Sequence, residues 1–211
     1  MNKYIFRKQD KLIKFYLHRE CRLLFYTQFA CMSNVIIATL CRNFLAAIDM
    51  AHQVLVLAPE ELLEKDRRFF YMAYHSLIFL DYYLSDPVRD FHPKLSYTIH
   101  HADVLPAEAV DDVLPDRIYT KDELLTFLRE TRGKCETQFR QMTGEKLLER
   151  WITDNEVDMH GLCPPLVSHY SRLEILLYNL RHLQHHTGQL NLLLRLKANV
   201  AADWVSQSPC L

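Results

Sequence analysis

The chain contains very little glycine. Only four of its 211 residues are glycine, which is too few for the many tight turns of a β-sandwich or a β-barrel. Long stretches are instead rich in Leu, Ala, Glu, Arg and Lys, residues that favour helices. With 49% hydrophobic residues the chain is long enough to bury one core, and a disordered or fibrous protein is excluded. The composition predicts an all-α fold.

An excess of charge of either sign is also missing. Lys and Arg together number 25 against 26 Asp and Glu, a formal net charge of -1. Such a chain has no overall field that attracts a polyanion. We therefore expect no nucleic-acid partner.

No two cysteines have the C-x-x-C spacing of a redox or zinc motif, and a chain of this length does not depend on disulfides for its stability. We predict reduced thiols in a cytoplasmic protein, with each cysteine packed as a small apolar side chain. None is proposed as a nucleophile. The six are Cys21, Cys31, Cys41, Cys135, Cys163 and Cys210.

Residues 1–33 differ from the rest in charge. They carry seven Lys or Arg and two Asp or Glu, a net charge of +5, which leaves -6 for the remainder. Residues 23–41 lack charge, but polar residues such as Gln28 and Asn34 interrupt them, so we predict no transmembrane segment. We interpret residues 1–33 as a basic extension outside the core, and Met32 as an alternative start.

Four helical segments are predicted after this extension, over about 35–57, 66–84, 120–142 and 166–197, from apolar residues at helical spacing and from Pro and capping signals at the ends. Residues 87–119 contain four prolines and form a long connection, with a short helical turn expected around 107–113. This order predicts a four-helix bundle with one long crossover connection, in which residues 34–200 form the bundle and 201–211 a tail. Because an exposed helix face can pack against a second copy of the chain, a homodimer is an alternative to a monomer.

Two histidines on the fourth segment, His182 and His186, are one helical turn apart. At about 100° per residue they are only about 40° apart around the axis, so both imidazoles can bind one metal ion. Leu183 and Leu190 lie beside this line, which directs the pair inward. On the second segment, His75 also belongs to an apolar face. Three neutral imidazoles from two helices would leave open coordination positions.

An inward histidine on the second helix, followed about a hundred residues later by H-x-x-x-H and then x-G-Q, resembles the DinB/YfiT-like family of four-helix-bundle metalloenzymes. The resemblance covers roughly residues 35–198. It implies that a divalent metal ion is bound by His75, His182 and His186, with zinc or nickel foremost and manganese or iron as alternatives. It also implies a small-molecule substrate, and transfer to, or isomerisation with, a low-molecular-weight thiol as the reaction.

Other residues near these three are assigned lesser roles. Tyr178, one turn before His182, is the candidate catalytic residue, since its hydroxyl could donate to a bound oxygen or orient an imidazole. Gln189 is expected to support the histidine pair, and Gly188 to permit close helix contact or bending. His185 is rotated by about 100° and is expected at the mouth of a pocket. The remaining histidines are His52, a reserve ligand, and His18, His92, His100, His101, His160 and His169, expected on loops or the surface.

Three classes of function follow from these observations. The first is a metal-dependent transferase of thiols, or a hydrolase that uses metal-activated water. The second is a non-catalytic, stress-associated bundle in which the ion ties two helices together. The third is a helical interaction module whose basic extension meets an anionic partner or membrane surface.

Overall fold

The computed structural model describes residues 32–210, and these are mostly helical. Helix accounts for 61% of the structure, which confirms a largely α-helical fold. Six α-helices are present among the described residues. They are α1 (Met32–Leu57), α2 (Glu60–Lys65), α3 (Arg67–Tyr83), α4 (Lys121–Arg140), α5 (Gly144–Leu148) and α6 (Arg172–Ala198).

Helices α3 and α4 both begin directly after a residue whose side chain caps the helix, and the cap of α4 is the predicted one. The Asp66 side chain accepts a hydrogen bond from the Phe69 backbone N–H at the start of α3. At α4, Thr120 and Glu123 form a reciprocal capping box, which satisfies two backbone donors that a helix start leaves free. The apolar residues at helical spacing along α4 are buried, and these are Leu124, Leu128, Cys135 and Phe139.

The long helix α6 begins later than the sequence pattern indicates. The Pro164-Pro165 pair, expected at a helix start near residue 166, instead enters a short 3₁₀ turn over Pro165–Val167. The helix begins at Arg172, because Ser171 and Glu174 form a capping box there. Two of its turns later, at Asn179, a fully buried amide donates to the Leu80 carbonyl of α3 and ties the two helices together.

The long connection contains a small two-stranded sheet that the sequence does not predict. Strands β1 (Tyr97–Ile99) and β2 (Val113–Pro115) pair antiparallel, with Thr98 opposite Leu114. The turn expected around 107–113 is present only as a single hydrogen-bonded turn, in which the Ala109 backbone N–H donates to the Pro106 carbonyl, and at Val113 the strand β2 begins instead. Val113 and Leu114 are buried, and β2 packs against α3.

The core lies around α3. This helix packs against α6 above all, and also against α2, α4 and β2. Most of its residues are buried, including Phe69, Phe70, Tyr74 and Tyr82. The aromatic residues of this segment thus serve mainly to fill the core.

The C-terminal residues pack back against the helices. Ala202 exchanges hydrogen bonds with the Asn191 side chain of α6, and the Ser208 backbone donates to the Arg42 carbonyl of α1. Cys210 forms a disulfide with Cys41. The expectation of reduced thiols is wrong for these two residues, because folding the tail onto α1 brings together cysteines 169 positions apart. Among the described residues Cys135 and Cys163 are free.

Helix α1 alone, among the described residues, has the length and apolar composition of a membrane-crossing helix. Its most apolar window has a mean hydropathy of 1.4 and is half buried within the protein. A core helix and a signal sequence share these properties. Residues 1–31, and with them the basic extension, His18, Cys21 and Cys31, lie outside the described residues, as does Leu211.

A candidate metal centre

His75 is placed by the middle of α3, on the face that packs against α6. Only 6% of the residue is exposed, and its ring lies 4.7 Å from that of Phe79. The sequence expectation of an inward histidine on this helix is confirmed. A buried imidazole needs partners for its two nitrogens.

His182 and His186 lie one turn apart on α6 and face His75. The Nε2 atom of His182 is 2.9 Å from Nε2 of His75 and 3.2 Å from Nε2 of His186. The three ligand atoms all lie within 4.8 Å of one another. Two nitrogens bound to one tetrahedral zinc ion would be about 3.3 Å apart, for Zn–N distances of about 2.0–2.1 Å. The structure therefore brings together all three predicted ligands in an arrangement that could hold a metal ion.

Gln189 determines which nitrogen of His186 carries the proton. Its Oε1 accepts a hydrogen bond from His186 Nδ1 at 2.8 Å. The proton therefore resides on Nδ1, and the lone pair of Nε2 points toward the other two imidazoles. The expectation that Gln189 supports the pair is confirmed.

Asp111, which sequence reasoning missed, approaches His75 from the long connection. Its Oδ2 lies 3.1 Å from His75 Nδ1, but this nitrogen has no hydrogen-bond partner among the described residues, so the contact is electrostatic. Its Oδ1 accepts from the Val113 backbone N–H, which holds the carboxylate at the start of β2. A negative charge at this position favours a proton on Nδ1 and leaves Nε2 free.

The three Nε2 atoms form two close contacts, and each contact would need its own proton to be a hydrogen bond. With His75 and His186 protonated on Nδ1, only His182 can supply one proton, and a single proton cannot satisfy both contacts well. A metal ion would accept all three lone pairs instead. With a metal ion bound to its Nε2, His182 would carry its proton on Nδ1. This nitrogen is buried and has no hydrogen-bond partner among the described residues.

The surroundings keep two of these imidazoles neutral. Burial, reinforced by the neighbouring imidazoles, lowers the pKa of His182 to about 3. Burial and His75 lower the pKa of His186 to about 4, against the opposing effect of Gln189. Neutral imidazole is the form that binds metal ions.

Tyr178 lies beside the centre. Its ring stacks nearly parallel to that of His182, with centroids 6.2 Å apart, and meets the Tyr83 ring edge to face at 5.4 Å. With Arg181, His182, Gln184 and His185 it lines a cleft of about 510 Å³. His185 thus lies where it was expected, at the mouth of a pocket. The catalytic role of Tyr178 stays a prediction.

The other expected residues are not part of the centre. His52 is half-buried on α1, and the group of convergent ligands found among the described residues does not include it. A Cβ atom at Gly188 would meet open space, so close helix contact does not require glycine there. His160, expected on the surface, is instead half-buried between Phe91 and Tyr82, and its Nε2 lies 3.0 Å from the Val88 carbonyl oxygen.

Comparison with known proteins gives no relative. No family model, no curated protein and no solved structure matches this chain. The resemblance to the DinB/YfiT-like family rests on the order and spacing of three histidines and remains an expectation.

Proposed function

We propose that this protein is a metal-dependent enzyme of the DinB-like type, an S-transferase that uses a low-molecular-weight thiol. The observation that carries the proposal is the convergence of three buried or half-buried imidazole nitrogens, from His75, His182 and His186, within 4.8 Å. Three protein ligands are the number found in catalytic zinc sites, which keep a position open, whereas structural sites usually have four.

The finer description of the fold belongs to this proposal. The long helices α1, α3, α4 and α6 correspond to the four helices of a DinB-like bundle, and residues 84–120 correspond to its crossover connection. In that arrangement α3 and α6 carry the proposed ligands, and the crossover contributes Asp111 beside His75.

The chain's own residues have distinct tasks in the proposed reaction. His75, His182 and His186 hold the divalent ion, which would lower the pKa of a bound thiol and so supply a nucleophile at neutral pH. Gln189 and Asp111 orient two of the imidazoles. Tyr178 is the hydroxyl donor nearest to His182 along α6 and is proposed to stabilise charge that develops on the substrate.

The test uses an electrophile whose fate can be followed. With an activated aryl chloride, a carbon–sulfur bond forms, the carbon–chlorine bond breaks, chloride leaves, and the thiol proton passes to the buffer. We expect thiol consumption and chloride release in equal amounts from protein loaded with zinc, nickel or manganese. Both should cease after dialysis against a chelator and return when the metal is restored.

Two further results would redirect the proposal. Hydrolysis of an ester or amide panel, with no consumption of thiol, would indicate metal-activated water as the nucleophile. Silence in both assays by fully metal-loaded protein would contradict an enzyme of either kind and favour the metal-binding bundle. His75→Ala, checked for folding by its melting temperature, should match the chelated wild type.

A further inference from the structure

The cleft beside the proposed metal centre is lined by a positively charged side chain, that of Arg181. Arg181 is exposed and directly precedes His182 in α6, and both residues line the cleft with Tyr178, Gln184 and His185. The cleft therefore extends from a proposed metal ligand to a guanidinium group. No acidic residue is among these five lining residues.

Arg181 has no carboxylate partner among the described residues. Its neighbours one turn away on α6 are Leu177, Tyr178, Gln184 and His185, so the usual pairing of charges along a helix is missing here. Some other cations of the described chain do have carboxylate partners: Lys134 pairs with Asp81, and Arg172 with Asp86. A guanidinium that is left free beside a cleft is available to a ligand.

The charge of the proposed centre points in the same direction. Its three proposed ligands are imidazoles, which bind a metal ion in their uncharged form, and Asp111 contacts them through His75. A divalent ion held there would keep a net positive charge, which an anionic ligand would complete. Arg181, which lines the cleft and is exposed, adds a further positive charge.

We propose that Arg181 binds the carboxylate of an acidic small substrate, a thiol carboxylate, whose sulfur faces the three histidines. This inference rests on the proposed function and specifies its substrate class. Guanidinium forms paired hydrogen bonds with carboxylate, so the residue would select acidic over neutral thiols of the same size.

The experiment compares two thiols that differ only in charge, 3-mercaptopropionate and its amide, 3-mercaptopropanamide. Each is titrated into cobalt-loaded protein, and binding is followed by the change in cobalt absorption. We expect the wild type to bind the acid at least about threefold more tightly than the amide, a factor of the size that a partly exposed ion pair provides. In the Arg181→Gln variant the dissociation constants of the acid and the amide should become equal. In the wild type, added salt should bring the ratio of the two dissociation constants closer to one.

A matched control is Arg195→Gln, which removes an exposed arginine from the same helix outside the cleft and should preserve the preference. Cobalt content and melting temperature should be the same for both variants and the wild type. Equal binding of the two thiols by the cobalt-loaded wild type would overturn the inference while leaving the metal site intact. A preference for the acid that survives in Arg181→Gln would overturn it as well, whereas failure to bind cobalt at all would contradict the proposed function itself.

Discussion

Asp111 Oδ2 lies 3.1 Å from Nδ1 of His75, so the long connection contributes directly to the histidine centre. These residues are distant in the sequence, and the backbone of β2 holds the carboxylate in place through Val113. The small sheet thus has a role beyond closing the connection, because it places a negative charge beside a proposed ligand. Carboxylates in this position orient imidazoles and increase their basicity.

Replacing this carboxylate should weaken metal binding without unfolding the protein. For Asp111→Asn we expect the affinity for zinc to fall by about 10- to 100-fold, the usual effect of removing a group that supports a ligand. The measurement is competition with a chromophoric chelator. Asp112→Asn is the control, because that side chain is exposed and should not affect the metal. Equal affinities for the two variants would show that Asp111 does not act on His75.

The second prediction concerns which residues of α6 face the proposed metal ion. His182→Ala and His186→Ala should each reduce the metal content well below one ion per chain, since each removes one of three ligands. His185→Ala should retain the ion, because His185 is exposed at the cleft and is not in the convergent group. Metal analysis of protein purified without a metal-binding tag provides the readout. Loss of the ion from His185→Ala alone would show that α6 presents a different face.

The helical segments and the three histidines could be predicted because both depend on local periodicity. A repeat of 3.6 residues identifies the buried side of α3 and α4, and the spacing of His182 and His186 places them on one side of α6. These parts of the fold need only the sequence within each helix. The grouping of His75 with this pair follows instead from the resemblance to the DinB/YfiT-like family.

Contacts between distant segments could not be predicted in the same way. The strands have three residues each, too few for a period, and Asp111 reaches His75 only once they have paired. The Cys41–Cys210 disulfide depends on the path of the tail across α1. At α6, two prolines gave a misleading start signal, since the capping box at Ser171 and Glu174 lies further along the chain.

The disulfide should contribute measurably to stability. It joins residues 169 positions apart, and closing so long a loop restricts the unfolded chain, so Cys210→Ser should lower the free energy of unfolding by about 2–5 kcal/mol. Urea unfolding under non-reducing conditions measures this loss. Cys163→Ser is the control, because Cys163 is a free, half-buried thiol. If a reductant lowered the free energy of unfolding of the wild type no more than it lowers that of the Cys210→Ser variant, the disulfide would not contribute to stability.

Glu156 should make stability depend on pH. This buried carboxylate accepts hydrogen bonds from the Thr153 backbone and hydroxyl and from the Arg89 backbone. Burial alone would raise the pKa of Glu156, but these bonds outweigh it and hold the pKa below the ordinary 4.5. A carboxylate with a lower pKa in the folded state contributes fully above the unfolded pKa, and its contribution is lost as the pH falls.

Glu156→Gln should therefore unfold more readily than the wild type at pH 7, by about 1–3 kcal/mol, the cost of losing hydrogen bonds to a charged group. The difference should shrink as the pH falls below about 4.5, where the wild-type carboxylate begins to lose the same interactions. Urea titrations at a series of pH values measure both quantities. Asp158→Asn, at an exposed position of the same loop, should behave like the wild type, and a pH-independent difference for Glu156→Gln would contradict the assigned cause.

Tyr178→Phe tests the proposed hydroxyl donor. The ring contacts with His182 and Tyr83 should survive this change, so the variant should fold and hold as much metal as the wild type. If the hydroxyl donates to charge that develops in the transition state, kcat for thiol transfer should fall by about 10²-fold with little change in KM. Tyr170→Phe, which keeps the ring contact of that residue with Tyr178, is the control. Turnover by Tyr178→Phe at the wild-type rate, with full metal content, would remove Tyr178 from the mechanism and leave it a packing residue.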